Sequence, residues 1–291
     1  MITCKLQGGL GNQLFQIFTT IAYSLEHSCP FIFLNQFQLN TGNNGETIRY
    51  SYWTTFLKAL QPFLRDNIVG FELYKESNFS YNKLINNLGK LNNTVLLGYF
   101  QSYKYFEKYK ATIVRLLKMP FLKQDLLVKL KEQNINFNNT ISMHFRIGDY
   151  KLLPEHYIIL PIDYYRNSLL HILNSINNIN NSTTNNTVIY FCEQSELTEV
   201  NNMISILKSE FINLEFITFV NKQLTDWEEL LLMSCCQHNI IANSTFSWWG
   251  AYLSSNPIQI TCYPCKWFGP LLSNKNNTSD LFPPTWSCIS F

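Results

Sequence analysis

Charge is what this chain has least of. Only 14% of its 291 residues are charged, 22 basic against 20 acidic, for a net charge of +2. A chain so close to neutral has no basic stripe for a nucleic-acid duplex or an anionic bilayer, which argues against nucleic acid as a partner. No apolar run reaches the roughly 18 residues that a membrane-spanning helix requires, so no transmembrane segment is expected. The opening Met1-Ile2-Thr3-Cys4-Lys5-Leu6 is interrupted too early for a secretory signal, and the expected location is cytoplasmic. The eight cysteines, at 4, 29, 192, 235, 236, 262, 265 and 288, are scattered. Without a secretory signal they read as reduced thiols. Cys262-Tyr263-Pro264-Cys265 has ligand spacing but no second pair and no nearby histidine, so no metal is assigned to it.

Apolar residues supply 46% of the chain and aromatics 15%, enough for a sizeable core and against disorder. Much of the remaining polarity is amide, with asparagine used 34 times. Triplets such as those at Asn78 and Asn277 are therefore expected by chance and carry no glycosylation signal.

Short apolar runs alternate with helical periodicity. Strands are predicted over 3–6, 93–98, 140–145, 187–192, 215–219 and 238–242. Helices are predicted over 13–25, 106–118, 161–173, 198–209 and 226–234. Loops are expected over 36–51 and 174–187, where Asn, Ser, Thr and Gly cluster. A further Asn-rich stretch, 133–140, suggests a boundary between a first domain over 1–137 and a second over 138–291. Strands alternating with helices predict parallel sheets and an α/β class. In such sheets ligands bind beyond the carboxyl ends of the strands, so the polar residues just after each strand are the candidates for chemistry.

Three stretches stand out. Gln7-Gly8-Gly9-Leu10-Gly11-Asn12-Gln13 joins a strand to a helix. Its glycines permit left-handed backbone and close ligand approach. It lacks the spacing of a Walker loop or a dinucleotide fingerprint. The amides of Asn12 and Gln13 suit a neutral polar ligand such as a sugar; a tight structural turn is the other reading. His144-Phe145-Arg146-Ile147-Gly148-Asp149-Tyr150 closes a strand. Alternation puts His144 and Arg146 on one face and Phe145 on the other. A guanidinium there matches phosphate oxygens; an ion pair with Asp149 and a buried histidine are the alternative. In the third stretch the strand after His238 runs into Asn243-Ser244-Thr245-Phe246-Ser247-Trp248-Trp249. Ser244 and Thr245 read as a helix cap that offers hydroxyls and N–H groups to an anion, and the tryptophans read as core.

Taken together, Gly-Gly-Leu-Gly-Asn-Gln-Leu-Phe-Gln at 8–16, His-Phe-Arg-Ile-Gly-Asp-Tyr at 144–150 and Asn-Ile-Ile-Ala-Asn-Ser-Thr-Phe-Ser-Trp-Trp-Gly-Ala-Tyr-Leu at 239–253 resemble the alpha-1,2-fucosyltransferases. The resemblance spans nearly the whole chain. It implies two Rossmann-like domains facing a cleft (a GT-B-like architecture), GDP-fucose as donor, a glycan acceptor of galactoside type, and inversion at the anomeric carbon without a metal. The spacing of aspartates agrees: they stand at 66, 125, 149, 163, 226 and 280, and never as Asp-X-Asp. No cofactor is expected.

By the resemblance, Arg146 holds the pyrophosphate and His144 contacts the nucleotide. Gly11, Asn12 and Gln13 face the donor from the first domain. Asn243, Ser244, Thr245 and Ser247 form the phosphate-side loop and cap. Glu229 stands where relatives carry an acidic residue able to read guanine. Asp149 is offered as general base or as a partner that orients Arg146; Glu155 and His156 lie in the loop that follows. Three departures from the pattern are expected to touch donor affinity and acceptor choice. Ile147 replaces a second arginine, which removes a cation that Lys151 would have to replace. Glu229 is longer than the usual Asp, and Cys192-Glu193-Gln194 alters a polar loop. Another linkage, a protein acceptor, or a non-catalytic sugar-nucleotide-binding relative are the other readings.

Overall fold

Runs of β-branched and aromatic residues such as Thr140-Ile-Ser-Met-His144 and Thr187-Val-Ile-Tyr-Phe191 form strands buried almost throughout, as strands covered on both faces must be. The computed structural model describes residues 1–39, 48–83, 93–180, 186–220 and 224–291. Segments 40–47 and 181–185, within the two expected loops, lie outside the described residues. The expected α/β class is observed, and the chain divides into two compact units. One comprises Met1–Gln124 with Asn276–Pro283, the other Asp125–Lys275 with Pro284–Phe291. The Asn-rich boundary suggested by the sequence falls 13 residues further along, and the return of 276–283 to the first unit has no compositional signal.

In the first unit β1 (Ile2–Cys4) leads through the glycine loop into α1 (Leu10–Glu26). The short strands β2 (Phe33–Leu34), β3 (Gln38–Leu39), β4 (Arg49–Tyr50) and β5 (Leu64–Arg65) follow. Then come β6 (Glu72–Lys75), β7 (Thr94–Leu97), α2 (Lys110–Leu116) and α3 (Met119–Lys129). The main sheet is parallel, in the order β1-β7-β6. Helix α1 starts three residues earlier than its apolar periodicity indicates. Helix α2 is shorter than expected, because two turns of 3-10 helix occupy 103–105 and 107–109.

The second unit runs β8 (Thr140–His144), α4 (Ile162–Asn180), β9 (Thr187–Phe191), α5 (Leu197–Glu210), β10 (Glu215–Thr218), α6 (Asp226–Cys235), β11 (His238–Ile240), α7 (Thr245–Tyr252), β12 (Thr261–Pro264), α8 (Pro270–Ser273) and β13 (Ser287–Ile289). Its six strands form one sheet in the order β10-β9-β8-β11-β12-β13, and every pair is parallel. Counted from β8 this is the doubly wound order 3-2-1-4-5-6, whose sequence reverses between β8 and β11. Helix α4 continues through Asn180, so the first part of the expected loop from Asn174 is helical. Thr225 and Glu228 close a capping box at the start of α6, which fixes where that helix begins. Trp248 and Trp249 are fully buried. Trp248 stacks on Tyr252 at 4.6 Å and tilts against Trp286 at 5.4 Å, which seats α7 in the core. No helix among the described residues is long and apolar enough to cross a membrane.

Candidate active site

Where the strand order of a doubly wound sheet reverses, neighbouring connections leave toward opposite faces and a crevice opens at the carboxyl ends. In the second unit that point lies between β8 and β11. The ends of these strands carry the His144–Tyr150 and Asn243–Ser247 motifs, and the rings of His144 and Phe246 stand 5.7 Å apart. Two motifs a hundred residues apart in sequence thus meet at the place the topology favours.

Strand parity sets the side chains beyond β8. Phe145 and Ile147 are 1% and 2% exposed and belong to the core, while Arg146 points the other way. The expectation that Ile147 removes a cation from this surface is therefore corrected: position 147 faces apolar packing. Lys151, offered as a substitute cation, pairs with Glu199, both side chains about half exposed. The Arg146 guanidinium is clasped by two carboxylates, Asp149 at 2.7 Å and Glu193 at 2.5 Å. It also lies 5.5 Å from the centre of the Tyr150 ring. Burial works against its charge, and Asp149 and Glu193 more than offset that, so its pKa is raised. His144 is buried, with Nδ1 lacking a hydrogen-bond partner. Burial, helped by Arg146, pushes its imidazole down to about 3. It is therefore neutral at physiological pH and offers a hydrogen bond rather than a charge.

Glu196, which no sequence motif announced, shapes this turn. It is 4% exposed, and its Oε1 accepts from the amides of Ile147, at 3.3 Å, and of Gly148. A Cβ on Gly148 would lie 2.6 Å from that oxygen, so a side chain there would push the Glu196 carboxylate aside. Its other oxygen, Oε2, is buried without a partner, and burial raises its carboxyl pKa.

Across the crevice, Ser244 caps α7, its Oγ accepting from the Phe246 amide at 3.3 Å. Ser244 and Thr245 are half-buried and reachable. Asn243 and Ser247 face inward. Asn243 donates to the carbonyls of Ile158 at 2.9 Å and Trp267 at 3.1 Å, and its carbonyl accepts from the Tyr150 hydroxyl at 2.8 Å. Ser247 is 1% exposed and donates to the carbonyls of Ala242 and Ser244. Glu229 sits in the first turn of α6, where burial first and then Asp226 push its carboxyl up to about 7. Burial, then Glu196, Glu229 and Glu193, push the Cys192 thiol up to about 12, which groups these carboxylates around the end of β9.

In the first unit, Gly8 has φ +78°, and a Cβ there would lie 2.5 Å from Asn12 Nδ2. The tight turn therefore requires glycine. Asn12 Oδ1 accepts from Gln101 Nε2 at 2.9 Å. Gln101 follows β7, the strand beside β1, and is a second residue the sequence did not single out. Gln13 is fully buried and donates to the carbonyls of Gly8 at 3.0 Å and Tyr50 at 2.9 Å. Gly11 is buried as well, so of the three only Asn12 is partly open. Among the described residues no group of three or more His, Cys, Asp or Glu is placed to hold a metal ion.

A family model described as "Glycosyl transferase family 11" matches residues 1–287. The O-antigen biosynthesis glycosyltransferase WbnK of Escherichia coli is 28% identical, over 98% of this chain and 99% of that one. The alpha-1,2-colitosyltransferase of Escherichia coli is 25% identical, over 98% of both. The galactoside 2-alpha-L-fucosyltransferase of Caenorhabditis elegans is 23% identical, over 98% of this chain and 78% of that one.

Proposed function

Since the chain belongs to glycosyl transferase family 11, its reaction is glycosyl transfer, and we propose that it moves L-fucose from GDP-β-L-fucose to a hydroxyl of a galactoside-type glycan, with inversion and an α-1,2 linkage. The observation that carries this reading is the meeting of His144, two residues before Arg146, with Phe246 in the first turn of α7 at the reversal point of the sheet. A diphosphate bound there meets a guanidinium on one side and the N–H groups of a helix start on the other.

The acceptor oxygen attacks the anomeric carbon from the face opposite the diphosphate, and the bond from that carbon to the phosphate oxygen breaks. The transition state resembles an oxocarbenium ion, as in glycoside hydrolysis. Negative charge grows on the departing GDP, and Arg146 and the α7 cap take it up in place of a metal. Glu193 and Asp149 hold the guanidinium aimed until the diphosphate competes for its donors. Asp149 then has two duties: one oxygen steadies Arg146, and the other receives the acceptor's proton. The neutral His144 contributes a hydrogen bond to the nucleotide.

Glu229 is assigned to guanine, whose N1–H and N2–H both need a carboxylate oxygen. A carboxyl that titrates near pH 7 accepts both only when ionised. Binding of GDP, followed by calorimetry, should therefore tighten about tenfold per pH unit up to pH 7 and level off above it. Glu229→Gln should flatten that dependence, and an unchanged profile in the variant would remove Glu229 from the base site.

The reaction itself is tested by incubating the protein with GDP-fucose and a panel of β-galactosides, with and without EDTA, and reading the product linkage by NMR. An α-1,2-fucoside formed at the same rate in both conditions is expected. Turnover that EDTA abolishes and manganese restores would overturn the metal-free account. The 25% identical colitosyltransferase makes a colitose donor the second reading, to be run in parallel.

A further inference from the structure

The main sheet of the first unit has β7 at its centre, and the turn that leaves β7 is clamped from two sides. Glu76, the residue after β6, turns its carboxylate onto that turn and accepts from the amides of Tyr99 at 2.7 Å and Phe100 at 3.0 Å. The approach is close: a Cβ on Gly98 would collide with the Glu76 side chain. From the other side, segment 276–283 returns to this unit. There the carbonyl of Asp280 accepts from the Ser102 hydroxyl at 2.6 Å, and its carboxylate pairs with Lys104.

Between the clamps Phe100 is fully buried and held at φ +52°. Left-handed backbone at a bulky residue is costly, and it persists only where the surroundings impose it. What the strained turn delivers is the next residue. Gln101 is 8% exposed, and its Nε2 donates to Asn12 Oδ1 at 2.9 Å. Asn12 stands in the first turn of α1, beyond the carboxyl end of β1, the strand beside β7. That is the end of a parallel sheet at which ligands bind. The second unit repeats the arrangement. Glu196 lies beyond β9, the neighbour of β8, and holds the amides of the turn that follows Arg146.

We propose that Glu76 and Gln101 are positioning residues for Asn12: the glutamate fixes the strained turn, the turn fixes Gln101, and Gln101 fixes the amide that Asn12 presents to a substrate. The inference rests on the reading that a substrate of the proposed transfer meets Asn12. Neither Glu76 nor Gln101 touches that substrate, so each acts only through the contact that follows it.

The test is steady-state kinetics on the full chain, with a β-galactoside and the sugar nucleotide that the wild type turns over. The variants are Asn12→Ala, Gln101→Leu and the two together. Each single change should lower kcat/KM by about 10- to 100-fold. Both should move the same constant, either kcat or the KM of one substrate. The double variant should fall no more than about threefold below Asn12→Ala, because both changes cut one chain of contacts. Glu76→Ala should move that same constant. It also strips the amide of buried Phe100 of its acceptor and endangers folding, so Glu76→Gln is the companion variant. Its amide oxygen still accepts from the turn, and it should recover most of the rate. Losses that multiply in the double variant would overturn the proposal. So would Gln101→Leu and Glu76→Gln proteins that lower the urea midpoint and leave both KM values and kcat alone, which would make these residues parts of the fold only. Near-normal kinetics in Asn12→Ala would instead remove the underlying reading, and the proposal with it.

Discussion

Arg146→Ala should lower kcat/KM by about 100- to 1000-fold and leave the thermal unfolding midpoint close to that of the wild type. The large loss follows from the position of Arg146, whose guanidinium stands between Asp149 and Glu193 beyond the end of β8. Lys151 is bound to Glu199, and the other side chains on the strand end are a neutral histidine and two carboxylates. Departing GDP would then meet Asp149 and Glu193 without the cation between them, which repels the charge that grows in the transition state. The small effect on folding follows from parity. The neighbours Phe145 and Ile147 carry the packing, and the orphaned carboxylates are 50% and 54% exposed, so water solvates them. Arg146→Lys should recover only part of the activity, because an ammonium cannot span two acceptors as the guanidinium fork does. Steady-state kinetics beside circular-dichroism melting checks both halves. Near-normal turnover in the alanine variant would refute the assignment.

Glu196→Ala should cost about 2–4 kcal/mol of folding stability, read from urea unfolding, and should depress activity as well. Truncation leaves the buried amide of Ile147 and the half-buried amide of Gly148 without their acceptor, and an unpaired buried N–H costs about 1–3 kcal/mol. The same amides set the turn that aims Arg146, so donor KM should rise together with the loss of stability. Glu196→Gln keeps one acceptor oxygen and removes a buried charge, so it should restore most of the stability. Its burial already raises the carboxyl pKa, so the ionised form is the costly one. Loss of stability without any change in donor KM would make Glu196 a fold residue with no part in placing Arg146.

What the sequence disclosed here followed from periodicity. β8, β9, β10 and β11 are apolar runs bounded by polar residues, and the alternation across His144, Phe145 and Arg146 assigned their faces correctly. The same parity, carried one residue further, places Ile147 in the core; comparing residue types with a family pattern hid that. β12 and β13 were not legible, because Pro264 ends the one and Ser287-Cys288-Ile289 gives the other no apolar run. Polar residue type also misled within the motifs. Gln13 and Ser247 lie on buried faces of α1 and α7 and spend their hydrogen bonds on backbone carbonyls. Conversely, Gln101, Glu193 and Glu196 act on partners 47 to 89 positions away, a distance across which no local pattern speaks.

The most direct measurement is a crystal structure of the protein with GDP. The account predicts both phosphates at the carboxyl ends of β8 and β11, with Arg146 turned from Glu193 onto the diphosphate and the first N–H groups of α7 donating to it. GDP bound elsewhere, with Arg146 still clasped by Asp149 and Glu193, would contradict it.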